Sequence, residues 1–516
     1  MFINKGEIPL KSSLLPKILD PWVEKNPDKT AVFYYDEEFT YEELQKRVNT
    51  FATGLKNLFQ LESGDVVATQ SSNTIEYVIT LFACWKLGVT MTPLNPALKP
   101  EEIYFQLKDS NAKLIIFEGY VASKVREACE MLNRPIGKVV FEGETHVGER
   151  QFSDVFQTST LQFPEISNDR VALIIYTSGT TGKPKGVLLD HSNIEAMIEM
   201  SIQSLQLTEN DRSYLILPLF HVNALLFKLL SVIKAGGSVV LRKKFVLEEF
   251  LPCIEKYKTT YTSGVPTIYG MVANLPEGAE YQFDISSMRL GICGAAPVSV
   301  SLFERFESRF PFKLIEGWGL SEGTCATTLN PVDGQRKVGS IGKPMPHQQV
   351  KVVNDEGEEV PAGELGELIV KGPNVMQGYL NREDETKKTL KDGWLYTGDI
   401  GYQDSDGFLY IVDRKKDMII RGGMNIYPKQ IEEVLYQIPD VLEAAVIGVP
   451  DEKYGEEVVA FVVLRKQFTT NEEQIIQYCQ LKMANYRCPK KVYIVDQLPK
   501  NSVGKITKSD LRKMLV

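Results

Sequence analysis

Short apolar runs alternate along this chain with helical stretches of ten residues or more, and that alternation constrains the fold more than any other feature. KLIIF, VALIIY, SYLILPL, SVVL, TTYTS and MRLGIC are strand-like runs between residues 113 and 293. Amphipathic segments accompany them. Thr40 opens TYEELQKRVNTFATGLKNLF with a Thr-x-x-Glu capping box, and Leu44, Val48, Phe51, Leu55 and Leu58 then share one helical face. TIEYVITLFACWKLG reads as a second helix closed by Gly88, and PEEIYFQLKDS as a third with Pro100 in its first turn. Parallel strands need long crossovers, usually helical, so the expectation is a largely parallel α/β sheet.

At 516 residues the chain is too long for one ordinary core. From about residue 334 the texture changes: QQVKVVNDEGEEV and ELGELIVKGP alternate with Gly-Glu turns, which predicts a small β-barrel-like subdomain over about 334–412. After IVDRKKDMIIRGG the helix PKQIEEVLYQI and the strands AAVIGV, EEVVAFVVL and KKVYIV predict a compact α+β unit. The charged stretch DRKKD at 413–417 is the natural linker. The expected organisation is an N-terminal domain over 1–415 and a small, mobile C-terminal domain over 416–516.

A net charge of −9 argues against a nucleic-acid partner. Seven scattered cysteines without a CxxC pair suggest neither a zinc site nor a disulfide framework, and point to a reducing, cytoplasmic setting. MFINKGEIPLKSS lacks the apolar stretch of a signal peptide. HVNALLFKLLSVI is broken by Lys228 and too short to span a bilayer, so integral membrane association is not expected. Oligomeric state is not legible.

The stretch most charged with chemistry is YTSGTTGKPKG at 176–186, with three glycines, two lysines and a run of hydroxyls between two strands. It is not a Walker A loop, because Gly179 and Gly182 are only two residues apart and Pro184 follows Lys183. GxGxxG is absent as well. Converging backbone N–H groups, hydroxyls and lysines still make a phosphate cradle, where a plain hairpin turn would need neither paired threonines nor lysines. A rival lies at 319–323, where GLSEG matches the G-x-S-x-G elbow of serine hydrolases. The strand FKLIEG precedes Ser321, but TCATTLNP behind it is a poor helix, and His347 is the one downstream histidine.

YTSGTTGKPKG, LPLFH at 217–221, GAAP at 294–297, EGWGLSE at 316–322, YTGD at 396–399, DRKKD with RGGMNIYP, and PKNSVGK at 499–505 occur in one order. In that order they resemble the adenylate-forming enzymes: acyl-CoA and aryl-CoA synthetases, peptide-synthetase adenylation domains and luciferases. The likeness runs from about residue 20 to the C-terminus.

The resemblance implies two steps. A carboxylate attacks the α-phosphorus of ATP to give acyl-AMP and pyrophosphate, and a thiol then displaces AMP. Thr177, Ser178, Gly179, Thr180, Thr181 and Gly182 would wrap the β- and γ-phosphates, with Lys183 and Lys185 adding charge. Glu322, with Thr177, would take Mg²⁺. Gly294, Ala295, Ala296, Gly317, Trp318 and Gly319 would form the adenine slot, with Trp where Tyr is commoner, and Ser321 would offer its hydroxyl to the α-phosphate. Asp399 and Arg414 would hold the ribose, and position 411, here Ile411, is assigned to the nucleotide as well. Standing alone, Glu322, Asp399 or Arg414 would read as surface charges; their motif positions reverse that.

Lys505 is expected to reach the reacting carboxylate and α-phosphate in the first step only, the C-terminal domain then turning about Lys416. Arg421, Gly422, Gly423, Met424 and Asn425 would afterwards line the path of coenzyme A. His221 stands where peptide-synthetase domains carry an Asp, which argues against an α-amino acid. His221, Val222, Asn223, Leu226, Ser263, Gly264, Gly291 and Gly294 would line an acid pocket, Asn223 either capping the following helix or bonding a substituent of the acid. The resemblance therefore predicts an ATP- and Mg²⁺-dependent acyl-CoA synthetase for a medium- or long-chain fatty acid. An aryl-acid ligase, or an enzyme loading a carrier protein, is the alternative. Ile420, where luciferases carry a Lys, argues against an oxygenase.

Overall fold

The computed structural model describes residues 13–158, 161–177, 184–294, 298, 300–465, 470–500 and 506–515. Two large sheets carry most of the chain as far as Lys343–Pro344. One has eight strands in the order Gly378–Tyr379, Lys185–Asp190, Val171–Thr177, Thr90–Leu94, Val66–Gln70, Leu114–Glu118, Gly137–Phe141 and Arg150–Gln151. The other has nine, with Lys313–Trp318, Leu290–Cys293, Tyr261–Gly264, Arg212–Leu215, Ser238–Leu241 and Thr30–Tyr34 lying side by side and parallel. The departure from parallel pairing matters: Val171–Thr177 and Lys185–Asp190 form an antiparallel hairpin around the glycine-rich loop.

The helices form where caps and periodicity place them. Tyr41–Phe59 starts with a complete capping box, Thr40 Oγ1 accepting from Glu43 N at 3.1 Å and Glu43 Oε2 from Thr40 N at 3.0 Å. Such a cap stabilises a helix start by about 1 kcal/mol. Ile75–Lys86 ends before Gly88, which turns the chain at φ 69°. Together with His191–Leu205 these helices fill the space between the sheets. Leu44, Phe51, Trp85 and Met197 are buried there against Met91, Leu173, Val239 and Leu290. Each fully buried side chain of this kind contributes about 1.5–3 kcal/mol. The far face of the nine-stranded sheet carries a second core, in which Leu247–Tyr257, Pro266–Ala273 and Val300–Glu307 cover Tyr214, Cys293 and Leu314. Strand alternation sorts the residues: Leu290 and Ile292 face the first core, Cys293 the second.

The β-rich region forms a third sheet of Gln349–Val353, Gly366–Lys371, Trp394–Gln403, Leu390–Lys391 and Leu409–Arg414. The fourth sheet begins at Ile419–Arg421 and is built on the long antiparallel pair Val441–Asp451 and Gly455–Leu464. The chain passes from one to the other between Arg414 and Ile419. Among the described residues no helix is long and apolar enough to cross a membrane.

Candidate functional site

Two neighbouring parallel strands, Leu290–Cys293 and Lys313–Trp318, end side by side, Cys293 opposite Glu316. A β-carbon at Gly294 would lie 2.9 Å from Gly317 O, so these two strand ends meet with no room for a side chain. Trp318 follows directly, and its indole N–H donates to Asp399 Oδ2 at 2.9 Å. Arg414, the cross-strand partner of Asp399, holds the other carboxylate oxygen at 2.8 Å. Asp399 is 3 % exposed, so both bonds form in a dry setting. Three residues assigned to one nucleotide from separate motifs thus meet within hydrogen-bonding distance. The indole bond was not foreseen; its signal was the Trp in place of the commoner Tyr.

Position 411 needs correction. Ile411 has no polar side chain, and its carbonyl accepts from Lys429 Nζ at 2.7 Å. The neighbouring tyrosine, Tyr410, stacks on Tyr402 at 4.7 Å and donates to Asp404.

Glu322 sits in the single 3₁₀ turn Ser321–Gly323. Tyr379 OH donates to Glu322 Oε1 at 2.9 Å, and Met376 N to Glu322 O at 2.9 Å. Burial, then the Glu322 charge, pushes the Tyr379 phenol upward, so it stays a neutral donor. Among the described residues no group of three His, Cys, Asp or Glu side chains could cage a metal. One carboxylate on a fixed turn fits a Mg²⁺ that arrives on phosphate and keeps most of its ligands from phosphate and water. The same turn removes the hydrolase reading: the short strand Thr328–Leu329 follows Ser321–Gly323, not the helix a nucleophile elbow needs.

Thr177 ends its strand opposite Lys185. Lys185 is already paired with Glu385 and lies over the Tyr379 ring at 4.8 Å, so its charge is engaged by protein. Ser178, Gly179, Thr180, Thr181, Gly182, Lys183, Ala295, Ala296 and Lys505 lie outside the described residues.

On the acid side, burial pulls the His221 pKa down to about 4, so the ring is neutral near pH 7, and its Nε2 has no hydrogen-bond partner among the described residues. Asn223 makes no capping bond; its Oδ1 accepts from Ser263 Oγ at 2.8 Å, joining helix to strand. Val222 and Leu226 are buried in the first core. Gly264 and Gly291 point the other way: a β-carbon at either would meet Tyr269, in the second core.

In the last hundred residues, Lys416 is exposed in the turn between the sheets. Arg421 is bound to Glu457 through two bonds of 2.6 and 2.9 Å. Gly422 and Gly423, at φ 58° and 80°, turn the hairpin that leaves Met424 and Asn425 exposed. Unforeseen contacts tie this unit to the strand before it. Lys429 N donates to Asp413 Oδ2 at 2.8 Å, and Lys429 Nζ reaches back to Ile411 O. Lys508 pairs with Glu432 at 2.9 Å.

Substituting Trp318 tests the indole–carboxylate bond. Trp318→Phe keeps a stacking face and removes the N–H, which to a charged acceptor is worth roughly 1.5–3 kcal/mol. AMP affinity, measured by calorimetry, should fall about tenfold or more; an unchanged affinity would mean that the bond does not orient Asp399 for ribose.

A family model described as AMP-binding enzyme matches residues 19–380, and one described as AMP-binding enzyme C-terminal domain matches 430–505. A long-chain-fatty-acid–CoA ligase of Bacillus subtilis (strain 168) is 35% identical, the match covering 98% of this chain and 95% of that protein. A feruloyl-CoA synthase of an Amycolatopsis species is 36% identical over 95% of this chain and 96% of its own. The crystal structure of ATP-bound MatB from Rhodopseudomonas palustris superposes with a TM-score of 0.89 at 30% identity, covering 97% of this chain and 98% of that one.

Proposed function

The chain belongs to the AMP-binding enzyme family and is an acid–thiol ligase, and on that premise we propose that it joins a fatty acid to coenzyme A through an acyl-adenylate. The carboxylate attacks the α-phosphorus of ATP, the bond to the bridging oxygen breaks, and pyrophosphate leaves. The thiol of coenzyme A then attacks the acyl carbon and AMP departs. The observation that carries this reading is the meeting of Trp318, Asp399 and Arg414 at the end of a parallel sheet, where ligands of open α/β folds bind.

In the first step two anions approach each other, so the protein's task is alignment and charge neutralisation. Asp399 and Arg414 fix the sugar, and Glu322 would offer a hard oxygen to a magnesium ion, which would supply charge neutralisation to the phosphates. Neutral His221 presents an uncharged imidazole to the acid, and Val222 and Leu226 give its body an apolar wall.

The test is pyrophosphate release from ATP and Mg²⁺ across a panel of carboxylic acids, with and without coenzyme A. Acid-dependent release, with acyl-CoA formed only when coenzyme A is present, is expected. Ester cleavage without ATP, lost on Ser321→Ala, would reinstate the hydrolase; no release with any acid would end the adenylation reading.

A further inference from the structure

Lys228 is the one lysine or arginine in HVNALLFKLLSVI, and it is 1 % exposed. Its Nζ has no hydrogen-bond partner among the described residues and lies 3.7 Å from the centroid of the Tyr261 ring. The charges that act on it through space, Arg289 and Asp211, are bound to each other at 2.9 Å. Burial drives its pKa well below the usual lysine range and disfavours the charged form. An unbonded polar group in a dry core is costly, and hydrocarbon of similar volume would serve the fold better. Beyond the face of the Tyr261 ring, the amine finds no hydrogen-bond acceptor among the described residues.

Its position says where that partner would come from. Ala224–Leu230 is a π-helical stretch, with Ser231 Oγ bonding back to Leu226 O at 2.7 Å, and such turns recur at functional sites. The stretch starts beside His221 and runs along the strand Tyr261–Gly264. Asn223 meets Ser263 at the upper level; Lys228 meets Tyr261 two residues, or about 7 Å, further down the strand. Tyr261 OH donates to Phe227 O at 2.8 Å, so the tyrosine closes the seam between helix and strand.

We propose that Tyr261 and Lys228 form the floor of the acid-binding site, and that Lys228 hydrogen-bonds an oxygen at the far end of the acid. The substrate is then a short- or medium-chain acid bearing a terminal hydroxyl or carboxylate, not a plain long-chain fatty acid. This rests on the adenylation reading and narrows it. A hydroxyl oxygen accepts from the amine N–H; a terminal carboxylic acid that hands its proton to the amine forms an ion pair with the resulting ammonium. A methyl end leaves the amine unpaired, and sites built for a hydrogen bond reject analogues that lack it.

Matched acids test this by their kcat/KM for pyrophosphate release: hexanoate, 6-hydroxyhexanoate and adipate; octanoate, 8-hydroxyoctanoate and suberate; cinnamate and 4-hydroxycinnamate; and palmitate. In at least one set the oxygen-bearing acid should exceed its plain match tenfold or more, the hydroxy and dicarboxylate arms telling which oxygen is preferred. Lys228→Met should abolish that preference while leaving the melting temperature equal or higher. Tyr261→Ala should extend use toward longer chains. Palmitate as the best substrate of the unaltered enzyme, no preference in any set, or a preference unchanged in Lys228→Met would each overturn the proposal. Absence of release with every acid would instead remove the adenylation reading beneath it.

Discussion

Glu316→Gln is expected to stabilise the main body of the protein by an amount that grows between pH 5 and pH 8. Glu316 is 7 % exposed at the end of its strand, and its Oε2 has no hydrogen-bond partner among the described residues. Burial raises its pKa to about 8, opposed only in part by the Lys429 charge. The sign follows from linkage. Below the ordinary value of 4.5 both folded and unfolded chains hold the proton, and the group costs nothing. As the pH rises through that value the unfolded chain ionises while the folded one keeps its proton, so stability drains away until the folded pKa is passed. The accumulated penalty is on the order of 5 kcal/mol. Glutamine has the same shape and no charge to lose. All four tryptophans, at 22, 85, 318 and 394, lie before the proposed linker, so their fluorescence follows unfolding of this part alone. Denaturation midpoints of variant and parent should nearly coincide at pH 4.5 and separate by pH 8.5. Parallel profiles would show that Glu316 is ionised in the fold after all.

Lys505→Ala should reduce acyl-adenylate formation by a factor of about 10²–10³, the loss of one preorganised donor to developing charge at roughly 2.7–4 kcal/mol. Thioester formation from supplied acyl-AMP should be largely spared, because on the proposed domain alternation Lys505 has left the reacting atoms by then. Lys508, three residues on, is tied to Glu432 on the helix that also carries Lys429, so this terminal segment belongs to the same unit as the contacts to Asp413. Pyrophosphate exchange measures the first half-reaction, and thioester appearance from synthetic acyl-AMP the second. Equal damage to both would defeat the alternation.

Much of the scaffold is legible because local signals agree with one another. The Thr40 capping box, the Gly88 stop and the Pro100 start each act within one turn of chain, and each lies at the boundary it predicts. The antiparallel hairpin around the glycine-rich loop was less legible: VALIIY carries no mark of its partner's direction, which the short connection decides. Side-chain partners were harder still. Asn223 has the residue type of a cap, yet Ser263, forty positions later, claims it. Gly264 and Gly291 lie at the right level of their strands but face the opposite core, a one-residue matter of alternation that motif position does not resolve. Trp318, Asp399 and Arg414 were found through motifs; the bonds that bring them together depend on tertiary distance.

The seam between Asp413 and Lys429 has a further meaning. Asp413 is 8 % exposed and spends its oxygens on the backbone amides of Arg414 and Lys429. A swing of the last hundred residues about Lys416 would pull the second amide away, and solvent would have to flood in to replace it. Such a motion would in that sense be a wetting event, with the carboxylate hydrated on departure and dried again on return.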